Sequence, residues 1–173
     1  MMPRHEILMA GTGGQGLVLM ATFLGEAAIE EGLNVAQTQS YGVAQRGGFI
    51  SAEVVASKGE VYYQSTRKPD VILALHGVVG SRYDNATSPV IFDSTLFEKN
   101  LPGWRPVPFT SIAQDLGAVK AANIVALGAL LRFLPAISVA SLEKVVRKRF
   151  KGKLGELNAE AIKRGYEAAG ALR

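Results

Sequence analysis

The stretch Glu6-Ile7-Leu8-Met9-Ala10-Gly11-Thr12-Gly13-Gly14-Gln15-Gly16, running on into Leu17-Val18-Leu19-Met20-Ala21, decides the fold. A short apolar strand, Glu6 to Ala10, meets a glycine loop, and a helical pattern then continues to about Glu31. Gly11, Gly13 and Gly16 match the G-x-G-x-x-G spacing, in which glycines turn the chain sharply, admit close approach of a ligand and seat the helix on the sheet. Gly14 and Gln15 complete the loop. The N–H groups at a helix N-terminus carry partial positive charge, so a phosphate-bearing group is the natural occupant. The same glycines would also serve as a tight strand-to-helix turn that binds nothing.

A dinucleotide-binding unit adds an acid at the end of its second strand, about 20 residues on, for the ribose hydroxyls. Here the second strand, Leu33 to Gln39, holds no Asp or Glu, and the usual NAD reading loses its second leg. Between the two strands, Leu17, Met20, Ala21, Leu24 and Ala28 form one apolar helix face, and Gly32 ends the helix. Strand, helix, strand in this order predicts a right-handed crossover and a parallel pair.

The segment Ser40-Tyr41-Gly42-Val43-Ala44-Gln45-Arg46-Gly47-Gly48 leaves the carboxyl end of the second strand, on the rim where open α/β sheets bind ligands. Arg46 has the bidentate fork for a phosphate or carboxylate, and Gly47 and Gly48 permit a close backbone. An ordinary surface arginine in a loop fits the same residues.

Further on, Ile50 to Ala56 and Glu60 to Gln64 flank Ser57-Lys58-Gly59 like a hairpin, which makes the sheet mixed. Pro69-Asp70 opens an apolar strand, Val71 to Leu75, expected to be buried on both faces. A short helix to about Asn85, a strand from Val90 to Asp93, a proline-broken loop and a short strand around Val107 to Thr110 follow. Trp104 is expected to be a packing or interface residue. The last third reads as helical: a turn from Ile112 to Leu116 stopped by Gly117, a buried helix from Val119 to Phe133, a Ser138-capped helix from Val139 to Arg149 with a basic end, and a final helix from Glu156 to Leu172. Lys120 and Asn123 share a face of the buried helix, and the amide of Asn123 needs a partner, either loop backbone or ligand. The fold class is therefore α/β, a Rossmann-like three-layer sandwich with a mixed, mostly parallel sheet and a helical C-terminal third, in one domain over residues 1–173.

Composition narrows the chemistry. With no cysteine among 173 residues, disulfides, thiolate-held iron–sulfur clusters and thiolate zinc sites are excluded for this chain. His5 and His76 are far apart, so no histidine metal site is expected. A net charge of +4 is too small to argue for nucleic acid, and no ribonucleoprotein motif is present. The longest apolar run, Ala121 to Ile137, contains Arg132 and Pro135, so no membrane span is expected and the chain reads as cytoplasmic.

Taken together, the glycine loop, Tyr41-Gly42 with Arg46-Gly47-Gly48, Ser51-Ala52-Glu53-Val54, Lys68-Pro69-Asp70, Ile91-Phe92-Asp93-Ser94 and Asn123-Ile124-Val125-Ala126-Leu127-Gly128 resemble the gamma subunit of 2-oxoacid:ferredoxin oxidoreductases, over almost the whole chain. The indolepyruvate oxidoreductases carry a related domain. Val43-Ala44-Gln45 departs from the proline and acidic residues common there and leaves the 2-oxoacid unspecified. The resemblance implies a complex that converts a 2-oxoacid and coenzyme A to acyl-CoA and CO2, with thiamine diphosphate, magnesium and iron–sulfur clusters on alpha, beta and ferredoxin-like partner subunits, and ferredoxin as acceptor. It implies for this chain a role in assembly and on the coenzyme A side of the site, through Gly11, Gly13, Gly14, Gln15, Gly16, Tyr41, Arg46, Gly47, Gly48, Lys120 and Asn123. No catalytic residue is expected on this chain alone. A free nucleotide- or phosphate-binding protein and a purely structural scaffold are the competing readings. An accessory subunit is also expected to expose apolar patches near Trp104 and Tyr41, and to self-associate when isolated.

Overall fold

The computed structural model describes residues 4–42 and 48–172. Six strands form one sheet: β1 (Arg4–Thr12), β2 (Asn34–Tyr41), β3 (Phe49–Ser57), β4 (Val71–Ala74), β5 (Val90–Asp93) and β6 (Trp104–Val107), in the order β2-β3-β1-β4-β5-β6. β1, β4, β5 and β6 are successive parallel neighbours, and β3 runs antiparallel to both β1 and β2. The sheet is mixed and mostly parallel, with the helical C-terminal portion as expected.

Two pairings differ from the sequence expectation. β1 and β2 run in the same direction but are not neighbours, because β3 lies between them. The hairpin is β2–β3, with Tyr41 opposite Ile50, and not a pairing of β3 with Glu60 to Gln64. The physical reason is that β1 and β2 already occupy both edges of β3, so residues 60–64 find no free ladder. They cross one face of the sheet instead. Thr38 Oγ1 donates to the Gln64 carbonyl at 2.8 Å, the Glu53 carboxylate accepts from the amide and hydroxyl of Thr66, and Glu6 accepts from the amides of Arg67 and Lys68.

The opposite face carries the main core. Helix α1 (Leu17–Glu30) buries Leu17, Met20, Ala21, Leu24 and Ala28 against it, and Gly32 closes the helix at φ 76°. On the strap side, helix α2 (Gly77–Gly80) and the residues after β5 cover a smaller core of Ile72, Ala74, Val90, Phe92 and Trp104. Trp104 is thus buried, its ring against Phe92, and lies in β6 and not in an exposed loop. The strand expected at Val107 to Thr110 sits earlier, since helix α3 (Phe109–Asp115) begins directly behind Pro108.

The remaining helices are α4 (Ala122–Leu130), α5 (Val139–Arg149) and α6 (Gly152–Ala168), with short 3-10 turns at 119–121 and 131–133 bounding α4. α4 is buried on nearly every side because α6 approaches it at backbone distance. A Cβ on Gly128 would lie 2.0 Å from the Ile162 carbonyl, and one on Gly165 would lie 1.9 Å from the Val125 carbonyl. Among the described residues no helix is long and apolar enough to cross a membrane.

These contacts give two stability predictions. Gly165→Ala forces the two helices apart, an overpacking cost of about 1–3 kcal/mol, expected to lower the melting temperature by roughly 3–10 °C in thermal unfolding. The second concerns Glu6. Burial works to raise its pKa, but the Lys68 amide, the Arg4 side chain and the Arg67 amide outweigh burial and lower it. A depressed carboxylate stabilises fully above its unfolded value and loses that contribution as pH falls through the folded one. The melting temperature of the wild type is therefore expected to fall more steeply with acidification below about pH 4.5 than that of Glu6→Gln, which starts lower at neutral pH.

Candidate functional site

A cleft of about 370 Å³ opens at the carboxyl ends of β1, β4 and β5. Its floor is the glycine loop. The Gln15 side chain holds that loop in place: Oε1 accepts from the Thr12 amide at 2.8 Å, and Nε2 donates to the Leu75 carbonyl at 2.9 Å, bridging the ends of β1 and β4. A Cβ at Gly11 would strike Gln15 Oε1 at 2.5 Å, so the first glycine of the motif is the space that Gln15 occupies. Gly14 and Gly16 adopt φ 89° and 77°, left-handed conformations that favour glycine. Gly16 is the N-cap of α1 and supplies no side chain, and no acidic residue stands in the first turn. The helix dipole consequently meets the cleft uncompensated by protein charge.

The opposite wall is the start of the 119–130 helical run, which no side chain caps either. Lys120, Ala122 and Asn123 face the cleft from here. The Asn123 Nδ2 sits so close to Gly16 that a Cβ there would lie 2.7 Å from it. Among the described residues nothing hydrogen-bonds the Asn123 amide and nothing ion-pairs with Lys120, so these groups are available to a ligand. Asp93 and Thr110 form the third side. The Asp93 carboxylate is buried and committed to protein donors: Oδ1 accepts from the Thr95 amide at 3.0 Å, and Oδ2 from the Thr110 amide and hydroxyl at 3.1 and 2.6 Å. Its charge is spent on capping α3, which reduces its repulsion of an anion in the cleft.

Of the residues expected from sequence, Gly14, Gln15, Gly16, Lys120 and Asn123 line the cleft together. Gly11 shapes the loop from below, and Gly13 lies on its exposed outer side. Tyr41 is not in the lining. It stands at the end of β2, two strands from β1, and its hydroxyl donates to Gln39 Oε1. Gly48 immediately precedes Phe49, which pairs with Thr12, so β3 begins beside the glycine loop. Arg46 and Gly47 lie outside the described residues. Asp93, Thr110, Leu75, Leu96 and Ala122 are the lining residues that sequence reasoning passed over. An Asp at a strand end followed by Ser94-Thr95 carried a capping signal that could have marked the first of them.

Comparison with known proteins agrees with this architecture. Residues 6–168 match the family model described as pyruvate ferredoxin/flavodoxin oxidoreductase. The chain is 37% identical to the 2-oxoglutarate synthase subunit KorC of Archaeoglobus fulgidus, covering 96% of this chain and 89% of that one. Among solved structures it resembles the gamma subunit of a keto/oxoacid ferredoxin oxidoreductase from Geobacter sulfurreducens, with TM-score 0.83, 34% identity and 98% of both chains covered. It also resembles the 2-oxoglutarate:ferredoxin oxidoreductase of Magnetococcus marinus, whose structure holds 2-oxoglutarate, coenzyme A and succinyl-CoA, with TM-score 0.86 and 26% identity. There the chain covers 98% of its own length but only 32% of the longer chain.

The geometry makes Gly16 a sensitive position. Gly16→Ala combines a left-handed φ with a collision at Asn123. It is expected to cost about 1–3 kcal/mol, read as a lowered denaturation midpoint, and Gly13→Ala on the open side of the loop is expected to cost less.

Proposed function

Because the chain belongs to the pyruvate ferredoxin/flavodoxin oxidoreductase family as a gamma-type subunit, we propose that its cleft holds the phosphate-bearing part of coenzyme A in an assembled 2-oxoacid oxidoreductase. The observation that carries this reading is the pairing of Lys120 and Asn123, which have no partner among the described residues, with the uncapped N-terminus of α1 across one cleft. Backbone N–H groups at a helix start, one amide donor and one ammonium suit a phosphate. A ribose reader is lacking, since β2 ends without an acid, which argues against a dinucleotide.

The division of labour follows the family resemblance, and the composition is consistent with it. A chain with no cysteine supplies no thiolate to a cluster, and among the described residues no group of three or more His, Asp or Glu side chains could hold a metal ion. On this reading thiamine diphosphate, magnesium and the iron–sulfur clusters are held by partner subunits, as the family resemblance implies, and the thiamine supplies the decarboxylation chemistry there. This chain binds and orients the acyl acceptor. Exposed Val18, Val78, Leu96 and Val119 follow the glycine loop, β4, β5 and α3, and this apolar ring on the same rim suits a partner chain closing over the cleft. The 2-oxoglutarate enzymes among its relatives make 2-oxoglutarate the first acid to test.

The test is kinetic and uses the reconstituted complex. A charge-assisted phosphate contact contributes about 1.5–3 kcal/mol, so Lys120→Ala or Arg46→Ala is expected to raise the KM for coenzyme A roughly tenfold to hundredfold and leave that of the 2-oxoacid unchanged. An intact complex with unchanged coenzyme A kinetics in both variants would refute the assignment. Loss of the complex on gel filtration would move the residue to the subunit interface.

A further inference from the structure

We infer that the free edge of β2 is an interface between two copies of this chain, paired antiparallel about a two-fold axis. The evidence begins with the strand itself. β2 is the last strand on its side of the sheet, and its eight residues, Asn34-Val35-Ala36-Gln37-Thr38-Gln39-Ser40-Tyr41, present an edge of unpaired backbone groups about 27 Å long. Exposed edges in monomers are commonly protected by lysine, proline, a bulge or an inward-pointing charge. This one has none of them: the strand holds no charge and no proline, and its register with β3 runs without interruption from Asn34 to Tyr41.

The surroundings of the edge carry the second observation. Exposed large apolar side chains gather on both faces beside it. On one face Gly25 of α1 packs against Val35 and Gln37, and Ile29, one turn further along the same side of the helix, is 61% exposed. On the other face the strap is tied to β2 by the Asn34 amide on the Gly59 carbonyl and by Thr38 on the Gln64 carbonyl. It leaves Tyr62 79% exposed, its hydroxyl on Glu60, and Tyr63 57% exposed beneath the Arg67 guanidinium, while Tyr41, 61% exposed at the strand end, lies on the α1 face with Gln39. An open backbone ladder flanked by tyrosines and an isoleucine has the composition of an interface core, not of a solvated edge.

Charge selects the occupant. The chain carries a net charge of +4, whereas β2 carries no charged side chain, so two copies meet along it without like-charge repulsion between the strands. An antiparallel pairing of a strand with itself satisfies two-fold symmetry, places Gln and Thr side chains opposite their own kind, and lets each copy's tyrosines and isoleucine cover the other's. The edge lies two strands from the glycine loop, so this pairing leaves the cleft open to other chains.

Sedimentation equilibrium on the full-length chain is the first measurement. The wild type is expected at twice the 18.4 kDa chain mass at tens of micromolar. Gln39→Lys together with Ser40→Lys, both exposed, should weaken the dimer at least about tenfold with an unchanged circular dichroism spectrum and melting temperature. A wild type that remains monomeric at millimolar concentration overturns the inference, and so does a dimer indifferent to these lysines. The second measurement uses the lack of native cysteine. Cross-strand Cα separations of 4.5–5.5 Å fall within disulfide reach. Among Val35→Cys, Ala36→Cys, Gln37→Cys, Thr38→Cys and Gln39→Cys, at least one should therefore give a covalent dimer on mild oxidation, whereas Leu154→Cys on α6 should not. Cross-linking at Leu154→Cys but at none of the β2 positions would place the contact elsewhere and refute it.

Discussion

Every functional feature of the chain depends on the two edges of β1 being taken by strands of opposite sense, β4 running parallel on one side and β3 antiparallel on the other. A parallel neighbour ends at the same rim as β1, so Leu75 arrives where Gln15 can hold it. An antiparallel neighbour begins at that rim, so the pairing of Phe49 with Thr12 starts β3 beside the glycine loop. With a simple β-α-β pair the second segment would leave the rim beside the first strand. With β3 inserted, the start of β3 stands beside the loop, while Tyr41 is carried two strands away. One ladder thus carries Tyr41, which the motif grouped with the site, away from the glycine loop.

Electrostatics on the rim follow from which helix starts are capped. α3 receives the Asp93 carboxylate and is neutralised within the protein, whereas α1 begins at a glycine without any cap. The cleft therefore contains one carboxylate whose oxygens point at protein donors and one helix start whose donors point at solvent. Lys120 adds a positive charge from the wall facing that open helix start. The arrangement favours an anion in the part of the cleft nearest Gly16 and Asn123, and disfavours one nearest Asp93. Gln15 belongs to the first region by position, but both ends of its side chain are engaged in holding the loop, so its contribution is to shape.

Local pattern made the elements legible where neighbours in sequence decide the structure. Helix α1 with its buried face and Gly32 stop, the strand Val90–Asp93, and the Ser138-capped helix Val139–Arg149 all match their sequence reading, since caps and periodicity are short-range signals. The sheet order was not legible, because the partners Arg4 and Ser57 lie far apart in the chain and no local feature says which edge β3 will take. Residues 60–64 looked like a strand, and the missing information was that β3 had no edge left. Trp104 read as a packing or interface residue, and the ring of Phe92 in the neighbouring strand decides for packing by giving it an apolar seat. In the cleft, Lys120 and Asn123 were readable from helical spacing and resemblance. Thr110 was not, because its role comes from Asp93, 17 residues earlier and across a strand ending.

The distribution of exposed apolar residues separates the surface by purpose. Val18, Val78, Leu96 and Val119 follow chain segments that end at the carboxyl rim, while Ile29, Tyr41, Tyr62 and Tyr63 flank the outer strand. A chain of this size can bury nearly all its large apolar side chains, and the full burial of Phe109, Leu127 and Leu130 shows a core that is not short of space-filling residues. Apolar side chains left outside in two groups are therefore surplus to folding. The rim group surrounds a polar cleft and suits a chain that closes over a ligand. The edge group surrounds bare backbone and suits a strand. A subunit of an oxidoreductase complex has use for the first kind of surface at its cleft, and the second lets a complex be built without obstructing it.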